Sequence, residues 1–305
     1  MLCLVLLAAA GITAADLSLR VANDIMPRSL RRVMRDLSHQ AELLANVEEH
    51  PFLQYTRPRT QLADGDQEYG FRNIKMSDVP KPAGMVRIAC LGGMSTEGGY
   101  PELLRAYLDD AGGATRFQVL NFGIDGWSSV HSMLNFILNV REFRPDVVVV
   151  RDELRSAFCS GYPCSCGGRR HDYTPRSFRA NLLDRPIVRH SALYRAMKAM
   201  MARGRGGTIP TDGRELRQYR RNIETICTLA EVQKINVVLV TLPRDREDDS
   251  ARAVGDVIRD IALRRCLPLV DAENKSFASD AMDNQKTADR VGEIIVDLYS
   301  GTRTR

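Results

Sequence analysis

The sequence predicts an α/β protein, a three-layer α/β/α sandwich built around a five-stranded parallel, flavodoxin-like sheet. From Val86 onward, short apolar runs alternate with longer amphipathic segments, which is typical of strands alternating with helices. The run "PDVVVV" carries four consecutive valines and predicts a strand that is buried on both faces. Because crossovers between parallel strands are right-handed, the chain is expected to wind helices onto both faces of the sheet.

The first half of the regular region contains three predicted strands and two predicted helices. "VRIACL" is the first strand, and "YPELLRAYLDDAG" is a helix that Pro101 opens and Gly112 closes. "FQVLNFG" is the second strand. "SSVHSMLNFILNVREF" is the second helix, with Ser128 or Ser129 as its N-cap, and "PDVVVVRDE" is the third strand.

The second half begins with an irregular section, residues 159–212, that contains one predicted helix, "SALYRAMKAMMA". The elements after it are the helix "RELRQYRRNIETICTLAEVQK", the strand "INVVLVTLP", the helix "SARAVGDVIRDIALRRC", the strand "LPLVDAE" and the closing helix "NQKTADRVGEIIVDLYS". Ligands of such sheets bind at the carboxyl ends of the strands. A site is therefore expected just after Leu91, Asn121, Val150, Pro243 and Asp271.

The chain is expected to have three parts: an apolar signal or anchor segment (1–24), a helical lead with an extended arm (25–84), and the sandwich domain (85–301). Residues 2–15, "LCLVLLAAAGITAA", carry no charge and have the length of a signal-peptide apolar region, short for a bilayer span. They predict an exported or membrane-anchored protein, outside the cytoplasm. The alternative interpretation is a buried N-terminal helix.

The charge distribution argues against a nucleic-acid partner. The 305 residues include 43 basic and 38 acidic side chains, a net charge of +5. The arginines are scattered and form no basic stripe with interleaved aromatic residues, the pattern that nucleic-acid binding favours.

Of the seven cysteines, Cys3 lies in the apolar leader and the other six fall into two groups with different expected roles. Cys90, Cys227 and Cys266 lie in apolar patterns and are predicted to be small core residues. Three others cluster in "CSGYPCSCGG", and with a nearby histidine they give the spacing C-x4-C-x-C-x4-H: Cys159, Cys164, Cys166 and His171. This is not one of the usual zinc spacings, so a metal site, a disulfide and free thiols all remain open.

Four blocks, in order, give the chain from about residue 51 to 299 its resemblance to the SGNH/GDSL hydrolases. "CLGGMSTEGG" lies where that family has G-[DG]-S-x-T after a strand, and "LNFGIDGWSS" is similar to its N-x-[GS]-x-x-G block. "PDVVVVRDELRSAF" leads to the position of G-x-N-D, and "SDAMDNQKTADRVGEII" to that of D-x-x-H. The resemblance, which extends to exported bacterial members of the family, implies a serine esterase fold that needs no cofactor and takes an acylated small molecule or glycan in its pocket.

At the family's nucleophile position this sequence has Met94, whose thioether has no proton to lose and cannot attack an acyl carbon. Ser95 is adjacent and is the fallback nucleophile, provided that the turn rotates it into the pocket. The competing interpretation makes Ser95 and Thr96 N-caps of the following helix.

The other family positions are also altered. The oxyanion asparagine corresponds to Arg155, which is interpreted with Glu153 as a solvated or mutually paired surface feature, whereas the oxyanion-hole glycine is retained as Gly126. The catalytic histidine corresponds to Met282 or, if the block is anchored on Asp280, to Asp283. None of the five histidines lies in this last block: His39, His50, His131, His171 and His190.

Asp283 in place of the histidine, with Asp280 three residues earlier, would be a weak base for a serine, because its ordinary pKa is about 3.9. Three hypotheses follow. The first is a catalytically degenerate SGNH-type domain, a pseudoenzyme. The second is an active esterase or acyl-transfer enzyme with a rebuilt site using Ser95 and a carboxylate. The third is a non-enzymatic binding module.

Overall fold

A computed structural model describes residues 13–14, 16–18, 47–62, 68–111, 113–152, 191–194, 197, 213–242, 249–272 and 280–299. Its strands are β1 (Glu48–His50), β2 (Gln54–Thr56), β3 (Met85–Gly92), β4 (Arg116–Asn121), β5 (Val147–Arg151), β6 (Asn236–Val240) and β7 (Leu269–Val270). Its helices are α1 (Met94–Glu97), α2 (Tyr100–Ala111), α3 (Ser129–Leu138), α4 (Gly213–Val232), α5 (Asp249–Arg265) and α6 (Asp280–Tyr299), with 3₁₀ turns at Met76–Asp78 and Val140–Phe143.

Five parallel strands form one sheet in the order β4-β3-β5-β6-β7. Numbered from the first strand of this sheet, the order is 2-1-3-4-5, which is the flavodoxin-like doubly wound order. The order reverses between β3 and its two neighbours, so the crevice at the carboxyl ends of β3, β4 and β5 is the expected ligand position. The predicted fold class is confirmed.

Alternating side chains of the strands supply the two apolar faces of the sheet. On one face, buried strand residues pack with α2 and α6 in one cluster that includes Ile88, Val149, Leu104, Val291 and Ile295. The strand residues between them are also buried, and α4 packs against both α3 and α5. The four valines of β5 are all inaccessible, because a central strand of this fold is covered on both sides.

By its internal contacts the chain divides into two compact units, residues 1–54 with 157–210 and residues 55–156 with 211–305. The second unit contains the sheet and also the part of the arm from Tyr55 to Gly84. This arm is anchored by buried apolar side chains, among them Phe71 and Ile74. The predicted division at residues 24 and 84 stays a prediction.

Within the described residues, no helix has both the length and the apolar content that a bilayer crossing requires. Most of the apolar leader, residues 1–24, lies outside the described residues. The expectation of an export signal or an anchor therefore stays a prediction.

Cys266 is exposed, so its predicted core role is wrong, whereas Cys90 and Cys227 are buried as predicted. Cys266 follows the last residue of α5 with φ +52°. The N–H of Leu267 donates to the carbonyl of Ala262 at 2.9 Å, which is a Schellman helix ending. The helix α5 ends at Arg265, one residue before the end that the sequence predicted.

Replacing Cys266 with glycine is expected to raise the free energy of unfolding by about 1 kcal/mol. Position 266 has a left-handed backbone, and glycine adopts it without the Cβ clash that other residues meet. Urea denaturation would measure the change. The matched control is Cys266→Ala, which also removes the thiol but keeps Cβ; a comparable gain in that variant would contradict the backbone explanation.

Candidate functional site

The carboxyl ends of β3, β4 and β5 meet at two glycines where no side chain would fit. A Cβ on Gly92 would lie 2.2 Å from both the carbonyl oxygen of Arg151 and Oγ1 of Thr96. A Cβ on Gly123 would lie 2.6 Å from the amide nitrogen of Glu97. These glycines let the turn after β3 lie directly against the other two strand ends.

Met94 is the first residue of α1, and Gly93 is its N-cap. The side chain of Met94 is 54% exposed, so the residue at the nucleophile position points its thioether towards solvent. Ser95 and Thr96 lie inside α1, and the prediction that they cap the following helix is wrong. The helix α1 begins directly after the pair Gly92 and Gly93, and Gly93 takes the N-cap position.

Ser95 is half-buried, and its backbone carbonyl accepts a hydrogen bond from Nη1 of Arg151 at 3.2 Å. Thr96 is fully buried, and its hydroxyl lies 3.3 Å from the carbonyl oxygen of Arg151. The turn carrying the candidate serine is therefore tied to the end of β5 by both of these residues.

Arg151, the last residue of β5, is the centre of a buried polar cluster. Its Nη2 donates to Oδ2 of Asp283 in a salt bridge, and its Nη1 donates to Oδ1 of Asn284 at 2.9 Å. The two charged residues are 1% and 4% exposed, respectively. The guanidinium also lies over the ring of Tyr100, 5.6 Å from its centroid. The cluster joins β5, α2 and α6 beneath the candidate site.

Asp283, one of the two residues at the predicted histidine position, thus lies inside α6 and is committed to an ion pair. Asp280 and Met282 lie in the same first turns of α6. The sequence interpretation began the closing helix at Asn284, and the structure begins it at Asp280.

The turn after β4 keeps the shape that the second block predicted. Asn121 donates to the carbonyl of Thr96 at 3.4 Å and accepts from the N–H of Gly123 at 3.0 Å. Gly126 is buried with φ +80°, a conformation that favours glycine. Asn121 and Gly126 both stabilise the backbone of this turn, so their presence is explained without catalysis.

Glu97 links this turn to α1 and to the arm. Its Oε2 accepts from the N–H of Asp125 at 2.7 Å, and its Oε1 accepts from Nε of Arg57 at 2.5 Å. Arg72 donates to its carbonyl oxygen at 3.3 Å, and the hydroxyl of Tyr55 donates to the carbonyl of Asp125 at 3.0 Å. The arm therefore fixes both loops of the candidate site through Tyr55, Arg57 and Arg72.

The sequence interpretation did not find Arg151, nor the arm contacts made by Arg57 and Arg72. A charged residue at the end of an otherwise apolar strand was a signal for Arg151, because a buried charge requires a partner. The arm contacts had no comparable signal, since they join residues far apart in the sequence.

The buried thiols near the site are not nucleophiles at neutral pH. Burial raises the pKa of Cys90 to about 12 and that of Cys227 to about 11. Burial, followed by the neighbouring Cys90, raises the pKa of Tyr100 well above its ordinary value. A thiol attacks as its thiolate, so neither cysteine replaces the missing serine.

Several predicted residues lie outside the described part of the chain. These are Glu153 and Arg155 of the third block, and the cysteine cluster with its histidine: Cys159, Cys164, Cys166 and His171. Among the described residues, no group of three or more metal-binding side chains is arranged to hold an ion. The predicted roles of the residues outside the described part of the chain stay predictions.

Similar solved structures are lipases and esterases. A GDSL-like lipase from Bacteroides thetaiotaomicron matches at a TM-score of 0.39 and 14% identity, over 70% of this chain and 88% of its own. The lipase/acylhydrolase from Enterococcus faecalis matches at a TM-score of 0.42 and 15% identity, over 71% of this chain and 96% of its own. An acetyl xylan esterase matches at a TM-score of 0.44 and 15% identity, over 69% of this chain and 100% of its own. No family model and no curated protein matches the chain.

The described site brings two glycine turns together at the carboxyl ends of the strands. A serine esterase needs a serine oxygen within hydrogen-bonding reach of a base that a third group orients. The carboxylate of Asp283 in the last block is held by Arg151.

Proposed function

We propose that this chain is a catalytically degenerate hydrolase-type domain, in which the esterase scaffold is kept and the Ser-His-Asp chemistry is lost. One observation carries the proposal: Arg151 and Asp283 form a buried ion pair where the scaffold would need a free base. A buried pair of this kind is structural, because separating it leaves an uncompensated charge. The exposed thioether of Met94 supports the same conclusion.

The hypothesis of a rebuilt site with Ser95 as nucleophile is less well supported. Its base would be Asp283, whose Oδ2 is held by Arg151, or Asp280 in the turn before it. The backbone carbonyl of Ser95 accepts a hydrogen bond from the same arginine, which fixes the backbone of the turn that carries the serine.

We also propose that the pocket retains affinity for an acylated small molecule or glycan. The support is the retained glycine backbone of the turns at Gly92, Gly123 and Gly126, which lie at the carboxyl ends of the strands. Isothermal titration with an acetylated and a deacetylated form of one oligosaccharide would test it. Equal affinity for the two forms would contradict recognition of the acyl group.

A rebuilt variant is expected to gain esterase activity that the natural chain lacks. The variant combines Met94→Ser, Arg155→Asn and Asp283→His with Arg151→Met, since a histidine at position 283 would otherwise leave a buried arginine without its carboxylate. With p-nitrophenyl acetate we expect its kcat/KM to exceed that of the natural chain by at least about tenfold, because removal of a triad member typically lowers rates by far more.

The matched control carries the same changes except Met94→Ser, and it should be as inactive as the natural chain. Ser95→Ala in the natural background is the second control. If the natural chain hydrolyses the ester and Ser95→Ala abolishes that turnover, the degenerate assignment is wrong and the rebuilt-site hypothesis replaces it.

A further inference from the structure

His131 closes the N-terminus of α3 in a way that depends on its protonation state. It is the fourth residue of "SSVH", and its Nδ1 accepts the backbone N–H of Ser128 at 3.1 Å. This is the geometry of a capping box, in which the third helical residue bonds back to the N-cap N–H. Glutamate or glutamine usually fills that position, and here it is a histidine.

The neutral ring is required for this hydrogen bond. Only an unprotonated ring nitrogen can accept, and both nitrogens of an imidazolium ion are donors. Protonation of Nδ1 would set two N–H groups against each other at Ser128. A glutamate cap keeps its acceptor down to about pH 4, whereas imidazole titrates between about pH 5 and 8.

His131 lies in an apolar and aromatic environment, in which a positive charge is poorly solvated. The side chain is 5% exposed. Its ring stacks on Trp127 with 5.6 Å between centroids and 12° between planes, and it lies 6.3 Å from the ring of Tyr55. Trp127 and Tyr55 connect it to the turn that carries Gly126 and to the arm.

Among the described residues, charged groups come towards this end of α3 from the turn before it and from the end of β5. In the turn before α3, Asp125 is bound through its N–H by Glu97, which is paired with Arg57 of the arm. At the end of β5, Asp152 accepts from the hydroxyl of Ser132, the residue after His131. On α4, the side chain that bonds to this end of α3 is the neutral Asn222, whose amide donates to Ser129.

We propose that His131 is a pH-sensitive latch: its protonation releases the turn of residues 124–128, which carries Gly126, from the N-terminus of α3. The sign follows from the acceptor role of Nδ1. The backbone N–H of Ser128 donates only to the neutral ring, so acidification removes this hydrogen bond and shifts the population towards the open turn, by up to about tenfold per pH unit. The latch is independent of any residual catalysis.

The test is amide hydrogen exchange of the full-length chain at about pH 8, 6.5 and 5, corrected for the intrinsic pH dependence of exchange. Peptides covering residues 122–132 should lose protection on acidification, while those covering α2 should not. Uniform behaviour of the two regions in the natural chain would overturn the proposal, whatever the variants do.

His131→Gln provides the matched variant, because glutamine keeps a capping-box acceptor and does not titrate. Its protection at residues 122–132 should be constant from about pH 8 to about pH 5. His50→Asn is the control for titration elsewhere, since Nδ1 of His50 also accepts backbone N–H groups, from Phe52 and Leu53. Loss of the acid response in His50→Asn, or its persistence in His131→Gln, would overturn the proposal.

The fluorescence of Trp127 offers a second readout, because it is the single tryptophan of the chain. Opening of the turn exposes the indole, which is fully buried in the closed state. Acrylamide quenching should therefore increase as the pH falls in the natural chain and stay constant in His131→Gln. Quenching that is independent of pH in the natural chain would contradict opening of the turn.

Discussion

Replacing Asp283 with alanine is expected to lower the free energy of unfolding by about 3–5 kcal/mol. The substitution leaves the guanidinium of Arg151, which is 1% exposed, without its carboxylate in an interior where an unpaired charge is strongly unfavourable. It also removes one of the hydrogen bonds that join α6 to the end of β5, and leaves the bond from Arg151 to Asn284. Urea denaturation followed by circular dichroism would measure the loss.

A double-mutant cycle separates the pair from the cavity that alanine leaves. Arg151→Met alone should also destabilise the fold, whereas the double variant Arg151→Met/Asp283→Ala should be more stable than the sum of the two single losses predicts. The exposed pair Arg290–Glu293 of the same helix is the matched control, and Glu293→Ala there should cost no more than about 1 kcal/mol. Equal effects of Asp283→Ala and Glu293→Ala would contradict a structural role for the buried pair.

Replacing Gly92 with alanine is the second change with a large expected effect. The new Cβ would lie 2.2 Å from the carbonyl oxygen of Arg151. A backbone atom cannot move away as a flexible side chain can, so β3, α1 and β5 would have to separate. We expect a loss of at least about 3 kcal/mol in the free energy of unfolding, at the upper end of overpacking effects.

Gly84→Ala is the matched control for this substitution. Gly84 has φ +71°, and a Cβ there would meet nothing within 4 Å. The control therefore measures the effect of backbone conformation alone, about 1–2 kcal/mol. If Gly92→Ala were no more destabilising than Gly84→Ala, the close contact of the three strand ends would not be what requires a glycine.

The fold could be predicted from the sequence because its signals are local. The apolar run of β5 and the periodicity of α2 need no knowledge of distant residues, and each was placed within a few positions of its observed bounds. Cys266 shows the limit of that method. Hydrophobic periodicity does not mark the last residue of a helix, and the left-handed ending of α5 exposes a side chain that the pattern assigned to the core.

The candidate site could be predicted only in part. Block order located the turns at Gly92 and Gly126, because tight backbone geometry requires glycine at fixed positions in a sequence. The partner of Asp283 could not be deduced, since Arg151 is 132 residues away and only the folded sheet brings them together. The pairing of Glu97 with the arm was missed for the same reason.

The proposed latch at His131 depends on information from the sequence and from the fold. The spacing of Ser128 and His131 fits a capping box in the sequence alone. The stacking of His131 on Trp127 has no signal in the sequence, and only the fold reveals it.

The most direct test of the degenerate assignment is covalent labelling by a fluorophosphonate, a reagent that reacts with activated serines. The natural chain and its Ser95→Ala variant would be incubated with the reagent at neutral pH and compared by intact mass. We predict that neither chain acquires a phosphonyl adduct, because the described site holds its last-block carboxylate in the ion pair with Arg151. Stoichiometric labelling of the natural chain that Ser95→Ala removes would contradict the assignment and identify an active serine hydrolase.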